Sequence, residues 1–92
     1  MIRSFRSKAL RRFAQDEDPS RLSVRNVARV RRILTQLDVA TTPEEMNIAG
    51  WRFHLLRGDQ KGRFSVWVTG NYRVTFGWDG NDAVDVDLED YH

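Results

Sequence analysis

Hydrophobic residues recur with two different periods along the chain, and the period changes near its middle. Residues 20–37 place apolar side chains at every third or fourth position, which predicts an amphipathic helix capped by Ser20 or Ser23. A spacing of four over residues 5–13 predicts a shorter helix before it, although residues 2–5 also fit a short strand. The N-terminal part of the chain is therefore expected to be mainly helical.

After residue 51 the period falls to two, which is typical of strands. The alternating segments are residues 51–55, 64–68, 72–78 and 84–88. Glycine turns at 70–71 and 79–81 separate the last three segments, as in antiparallel hairpins. One face of this sheet is apolar and needs a cover, which the helices can provide. We therefore predict an α+β fold in which two N-terminal helices pack on a twisted antiparallel sheet, with His54 and Arg73 on its polar face.

The length and composition limit the kind of protein that this chain can form. With 92 residues it has room for one hydrophobic core, so we treat residues 1–92 as a single domain. It contains no cysteine, which excludes disulfides, thiolate nucleophiles and cysteine-ligated zinc, and favours the cytoplasm. Its longest apolar run, residues 66–68, is too short to cross a membrane, and we expect neither a membrane span nor a signal peptide.

Charge is distributed unevenly along the chain. Residues 1–37 hold ten basic and three acidic residues, whereas residues 38–92 hold five basic and ten acidic ones. Thirteen of the fifteen basic residues are arginine, whose planar guanidinium binds phosphate with two hydrogen bonds at once. The basic half thus indicates either a nucleic-acid partner or simply a solvated helix face.

Two histidines, His54 and His92, are the candidates for proton transfer. Histidine has an unperturbed pKa of about 6.5, so a pair of imidazoles can act as base and acid in one reaction. Arg73 is a lone cation in an apolar and threonine-containing strand, and it needs either a salt bridge to Asp85 or Asp87 or a phosphate ligand. Both interpretations of Arg73 stay open at this point.

Two further features have more than one interpretation. Residues 57–62 form a basic, glycine-containing loop whose N–H groups and cations suit a phosphate, but an ordinary hairpin loop has the same composition. Trp67 is out of phase with the apolar residues of its strand, so it is a candidate for covering a base or a partner protein.

Five segments of the chain resemble the HigB toxins, which are also called plasmid maintenance killer proteins and belong to the RelE/ParE superfamily. They are MIRSF at 1–5, DVATTPE at 38–44, WRFHLLRGD at 51–59, YRVTF at 72–76 and EDYH at 89–92. The resemblance extends over the whole chain, and the final EDYH is its most specific part. It implies a RelE-like fold.

The resemblance also implies an activity and a set of partners. HigB toxins are ribosome-dependent mRNA endonucleases that inhibit translation and growth and need no metal or other cofactor. A base removes the proton of a ribose 2′-OH, the oxygen attacks the adjacent phosphorus, and an acid protonates the leaving 5′ oxygen. The expected partners are the ribosome, mRNA and a HigA-type helix-turn-helix antitoxin, through which the toxin reaches operator DNA.

Carried over by position, the functional residues of the family correspond to five residues of this chain: His54, Arg73, Asp90, Tyr91 and His92. The chain departs from the usual HPLKGD motif of the family, because Leu55 replaces proline and Arg57 replaces lysine. Because its pKa lies far above neutral pH, an arginine offers charge and hydrogen bonds but cannot act as a base. We therefore assign proton transfer to the histidines and Tyr91, charge neutralisation to Arg57 and Arg73, and orientation of a histidine to Asp90.

Other basic residues are expected to bind RNA phosphates without taking part in the chemistry. They are Arg57 and Lys61 in the loop and Arg25, Arg29 and Arg32 on the outer side of the long helix. Two alternatives stay open beside the ribonuclease. A ParE-like gyrase inhibitor has the same fold without needing a histidine pair, and a non-catalytic RNA- or DNA-binding module needs no catalytic group at all.

Overall fold

A computed structural model describes residues 1–91 and confirms the α+β architecture. The elements are helices α1 (Lys8–Asp16) and α2 (Val27–Val39) and strands β1 (His54–Leu55), β2 (Phe64–Thr69), β3 (Tyr72–Asp79) and β4 (Asp82–Asp90). The strands form one antiparallel sheet in the order β1-β2-β3-β4. Within the described residues, no helix has the length and apolar character that crossing a membrane requires.

The helices bury their apolar sides against one face of the sheet. Val30, Ile33 and Leu37 of α2 are fully buried, and Leu10 of α1 joins the same core. Phe76 of β3 lies at its centre, with its ring 5.7 Å from that of Phe64 and 6.2 Å from that of Trp78. Within residues 1–91, no α-helix covers the opposite face of the sheet, as the period-two pattern predicts.

The long helix begins seven residues later than predicted, since residues 20–26 are not helical. Asn26 caps it, because its side chain accepts a hydrogen bond from the Arg29 N–H at 3.2 Å. Val24 is nevertheless buried at 5% exposure and belongs to the core. The predicted apolar stripe begins at Val27, where α2 starts, and the earlier start came from the expected caps at Ser20 and Ser23, which are wrong.

Residues 2–5 take the strand-like alternative. Ile2 and Phe5 form parallel bridges with Ala83 and Val86 of β4. Helix α1 starts only after this segment, where the Ser7 side chain accepts a hydrogen bond from the Leu10 N–H at 3.1 Å. The chain therefore enters the sheet region before it forms its first helix.

A bulge in β4 shifts the predicted alternation of that strand. Thr75 is opposite Asp87, whereas Gly77 is opposite Val84, so β4 has one residue more than β3 between these pairs. Asp85 occupies the bulge with a φ of 50°, and its N–H donates to the Ser4 hydroxyl at 2.8 Å. As a result Ala83 is buried in place of Val84, so the alternation of residues 84–88, which predicts that Val84 faces the core, is wrong at that residue.

The first strand is shorter than predicted. Regular pairing covers only His54 and Leu55, because Arg52 has a left-handed backbone with a φ of 50°. Trp51 is still buried, and its carbonyl accepts a hydrogen bond from the Trp67 N–H at 2.6 Å. The segment before β1 thus follows the side of β2 but does not extend the ladder.

Candidate functional site

The polar face of the sheet brings together side chains from all four strands. Directly paired residues of neighbouring strands point to the same face, and so do residues two apart on one strand. One row across the sheet is His54, Ser65, Thr75 and Asp87, and the next row is Trp67, Arg73 and Glu89. The predicted placement of His54 and Arg73 on one face is therefore confirmed.

His54 is exposed, so a substrate can reach its imidazole. Its Nδ1 atom is 3.0 Å from the Arg52 carbonyl oxygen. The hydroxyl of Ser65, the residue directly opposite on β2, is 3.4 Å from Nδ1 and 3.3 Å from Nε2. The ring is thus held from its own chain and from the neighbouring strand while one edge stays open to solvent.

Arg73 has its carboxylate partner on β4, but the partner is Glu89. The two residues are directly paired, and an Arg73 NH2 nitrogen is 3.4 Å from Glu89 Oε1. The side chain of Arg73 is only 14% exposed. The predicted alternatives, Asp85 and Asp87, are wrong as partners because Asp87 is opposite Thr75 and the bulge turns Asp85 toward Ser4.

Glu89 is the centre of a hydrogen-bonded cluster that sequence reasoning missed. It accepts hydrogen bonds from the Thr75 hydroxyl at 2.5 Å and from Gln60 Nε2 at 3.0 Å. Burial pushes the pKa of Glu89 upward, but these hydrogen bonds and the charge of Arg73 outweigh it and hold the pKa below its ordinary value. Glu89 is therefore ionised at neutral pH and keeps the Arg73 guanidinium in place.

Arg63 also lies across this face and was missed. Its guanidinium donates to the Thr75 hydroxyl at 3.0 Å and to the Asp85 carbonyl at 2.8 Å. Burial, together with the charge of Arg6, lowers the pKa of Arg63, although nearby carboxylates oppose this effect. The bulge that orients the Asp85 carbonyl has no signature in the sequence. The only sequence feature related to this contact is Arg63 itself, which lies just before β2.

Tyr91 follows β4 and stays close to the polar face. Its N–H donates to the Asn71 carbonyl at 2.9 Å, and its ring lies 4.2 Å from the guanidinium carbon of Arg73. This cation–π contact places Tyr91 beside the arginine to which the family resemblance linked it. Asp90 is opposite Tyr72 at the end of β4, and His92 lies outside the described residues.

The basic loop contains a short 3₁₀ helix, Gly58–Gln60, and returns to the sheet through Gln60. Arg57 and Lys61 flank this helix and are exposed. The loop therefore carries two cations at the rim of the polar face, while its one inward amide is bound to Glu89.

The three arginines predicted for phosphate binding near the long helix differ in their surroundings. Arg25 and Arg32 are exposed, whereas Arg29 folds back and donates to the Gly50 carbonyl at 2.6 Å and the Trp67 carbonyl at 3.4 Å. Its guanidinium carbon also lies 5.2 Å from the centre of the Trp67 ring. Arg52 lies over the same ring at 4.4 Å, so Trp67 is out of phase because it packs against arginines of this chain.

Comparison with known proteins agrees with this arrangement. The family model described as RelE-like toxin of type II toxin-antitoxin system HigB matches residues 3–92. A protein named Endoribonuclease HigB, from Proteus vulgaris, is 35% identical over 92 residues, which is the full length of both chains. A match of this extent, on a chain with the α+β fold described above, shows the family. The chain belongs to the RelE-like HigB toxins of type II toxin-antitoxin systems.

Proposed function

We propose that this toxin is a metal-independent endoribonuclease that cleaves mRNA on the ribosome, and that the polar face of the sheet is its active site. One observation carries the proposal: an exposed imidazole, His54, shares this face with the Arg73 guanidinium and the Tyr91 ring. The full-length similarity to a protein named as an endoribonuclease supports the same chemistry.

The reaction transfers a phosphoryl group within the RNA chain. A histidine removes the proton of a ribose 2′-OH, the 2′ oxygen forms a bond to the adjacent phosphorus, and the bond from phosphorus to the 5′ oxygen breaks. A second group donates a proton to that leaving oxygen. The products are a 2′,3′-cyclic phosphate and a free 5′-OH, so the balance requires no water and no metal ion.

The residues divide between proton transfer and charge. His54 and His92 exchange protons with the substrate, and Tyr91 assists at the same end of the chain. Asp90 alternates with Glu89 and is directed away from the polar face, so the histidine that we expect it to orient is His92 and not His54. Arg73 neutralises the charge that develops on the phosphorane, with its guanidinium already oriented by Glu89. Strands lie about 4.8 Å apart, and Arg73 is two residues along β3 from Thr75, the residue in line with His54. The backbones of His54 and Arg73 are therefore roughly 12 Å apart, within side-chain reach of one phosphate.

The partners follow from the family and the charge distribution. As a type II toxin the protein has an antitoxin partner, which we assign to the HigA type, with operator DNA contacted through that complex. We assign its action to the cytoplasm, because the proposed substrate is mRNA on the ribosome. Exposed Arg25, Arg32, Arg57 and Lys61 suit contacts with RNA phosphates, whereas the internal hydrogen bonds of Arg29 favour a mainly structural role for that residue.

The contribution of Arg25 and Arg32 can be measured by the salt dependence of ribosome binding. Replacing Arg25 and Arg32 by alanine should flatten the log–log dependence of ribosome binding on salt by somewhat under one unit for each phosphate that is no longer bound. Cleavage at saturating ribosome should change little. A variant with Lys8→Ala and Arg21→Ala removes the same charge elsewhere, and an equal change of slope in that control would contradict the assignment.

The proposed activity is tested by mapping RNA 5′ ends in cells after brief induction of the toxin. We expect new 5′-OH ends within translated mRNA, and we expect these ends to be absent when the His54→Ala variant is induced. In vitro, toxin pretreated with a chelator should cleave the mRNA on programmed ribosomes as fully as untreated toxin. Growth arrest without new mRNA ends would favour the gyrase-type inhibitor. Normal cleavage by His54→Ala would overturn the placement of the active site.

A further inference from the structure

The backbone at Arg52 is in a conformation that this residue type rarely adopts. Its φ of 50° lies in the left-handed region, where the Cβ of a non-glycine residue is crowded. Such a conformation persists only when surrounding contacts hold it, and it is often found at functional sites. Arg52 is two residues before His54, so this strained position adjoins one of the two residues proposed for proton transfer.

Contacts of the Arg52 side chain explain how the conformation is held. Its guanidinium lies 4.4 Å from the centre of the Trp67 ring. The ring is itself fixed, because Trp67 Nε1 donates to the Gly70 carbonyl at 2.9 Å and the Trp67 N–H donates to the Trp51 carbonyl at 2.6 Å. Arg29 adds a second cation over the ring. Arg52 is thus anchored on a tryptophan that the sheet and the helix both immobilise.

This anchoring determines where the Arg52 carbonyl points. The carbonyl oxygen is 3.0 Å from His54 Nδ1. A carbonyl oxygen can only accept, so a close contact with a ring nitrogen requires a proton on that nitrogen, because two lone pairs would otherwise repel each other. Ser65 does not select between the nitrogens, since its hydroxyl is almost equally far from both. The neutral imidazole is therefore protonated at Nδ1 and has its lone pair on Nε2.

We propose that Arg52 is a positioning residue that fixes the Nδ1–H tautomer of His54 and so leaves Nε2 as the base for the ribose 2′-OH. The role acts through the Arg52 backbone carbonyl, and the side chain contributes by stacking on Trp67. The assignment rests on the proposed function of His54, and it identifies which of its two nitrogens takes the proton. The assignment takes His54 as the base and leaves the acid to the end of the chain.

The tautomer can be read directly in the free toxin by nitrogen NMR of labelled histidine, with His54→Ala to assign the signals. The measurement is made about two pH units above the ordinary histidine pKa of about 6.5, so that the rings are neutral. Free imidazole side chains favour the Nε2–H tautomer in water. We expect His54 to be mainly Nδ1–H in the wild type, and a predominance of Nε2–H would overturn the proposal.

Variants at Arg52 then separate positioning from simple RNA binding. Arg52→Ala should shift His54 toward the Nε2–H tautomer. It should lower the single-turnover cleavage rate at saturating ribosome about tenfold or more, with little change in the ribosome concentration that gives half of the maximal rate. Arg52→Lys, which keeps a cation over the Trp67 ring, should restore most of the Nδ1–H tautomer of His54 and most of the cleavage rate. Arg21→Ala is the control, since it removes an exposed arginine away from Trp67.

Each other outcome has a defined meaning. If Arg52→Ala weakens half-saturation alone and leaves the tautomer unchanged, Arg52 is an RNA contact and the positioning role is wrong. If the tautomer shifts as expected but His54→Ala cleaves normally, the positioning effect is real and the proposed active site is wrong. Thermal melting of each variant shows whether any loss comes from unfolding.

Discussion

Deletion of Tyr91 and His92, or the single change His92→Ala, is expected to lower mRNA cleavage on programmed ribosomes at least ~100-fold while the protein stays folded. A general acid contributes about this factor, and we assign that role to the end of the chain. Stability should change little, because Tyr91 is 41% exposed and is tied by one backbone hydrogen bond to Asn71 and by its contact with Arg73. Single-turnover cleavage, thermal melting and antitoxin binding measure the three quantities separately.

Tyr91→Phe is the matched control for the truncation. It keeps the ring over Arg73 and removes only the hydroxyl, so it separates the packing of the tail from its proton chemistry. Undiminished cleavage by the truncated chain would show that the terminal residues have no catalytic role. A large fall in melting temperature would instead mean that the tail supports the fold.

Arg73→Ala is expected to reduce the cleavage rate by a similar factor, ~100-fold, because it removes the cation that neutralises the transition state. Arg73→Lys should recover only part of the rate, since an ammonium is a point charge that does not form the two parallel hydrogen bonds of a guanidinium. Rates measured at saturating ribosome distinguish loss of chemistry from loss of binding.

Glu89→Gln provides the control for stability in this experiment. The Glu89→Gln change breaks the ion pair with Arg73 but keeps the Arg73 side chain. The variant should therefore unfold more easily than the wild type, and its cleavage rate should fall less than that of Arg73→Ala. Because the pKa of Glu89 is lowered in the folded protein, its ionised form stabilises the fold above the ordinary glutamate pKa, and this contribution disappears as the pH falls through the lowered value. The stability difference between wild type and Glu89→Gln should therefore vanish in acid. Equal losses of rate in both variants would mean that the charge of Arg73 has no effect of its own without the orientation that Glu89 gives it.

The sequence predicts those parts of the fold that depend on local periodicity. The sheet, its two glycine turns and the shared face of His54 and Arg73 follow from a period of two, and the structure confirms them. The start of α2 does not follow, because several residues before it can cap a helix and only the structure shows that Asn26 does so, after an irregular segment whose Val24 packs in the core. The bulge at Asp85 depends on the Ser4 hydroxyl, eighty-one residues away in sequence, and no local pattern reports such a contact.

The candidate site divides in the same way. His54 and Arg73 stand out because their residue types are unusual in their strands. Glu89 does not, since an acidic residue near the end of a strand is ordinary until the register places it opposite Arg73. The left-handed backbone of Arg52 is equally hidden, because arginine has no particular preference for that conformation and only the stacking on Trp67 accounts for it.

The parallel pairing of residues 2–5 with β4 has a consequence for self-association. An uncovered strand as long as Asp82–Asp90 offers a row of free N–H and C=O groups on which another chain can add a strand. Here the Arg3 N–H donates to the Ala83 carbonyl at 2.8 Å and the Val86 N–H donates to the Ser4 carbonyl at 3.1 Å, so this side of β4 is already occupied from residue 83 to residue 86. An N-terminal fusion that pulls this segment away would expose a template for aggregation, and loss of soluble protein would follow even though the active site is untouched.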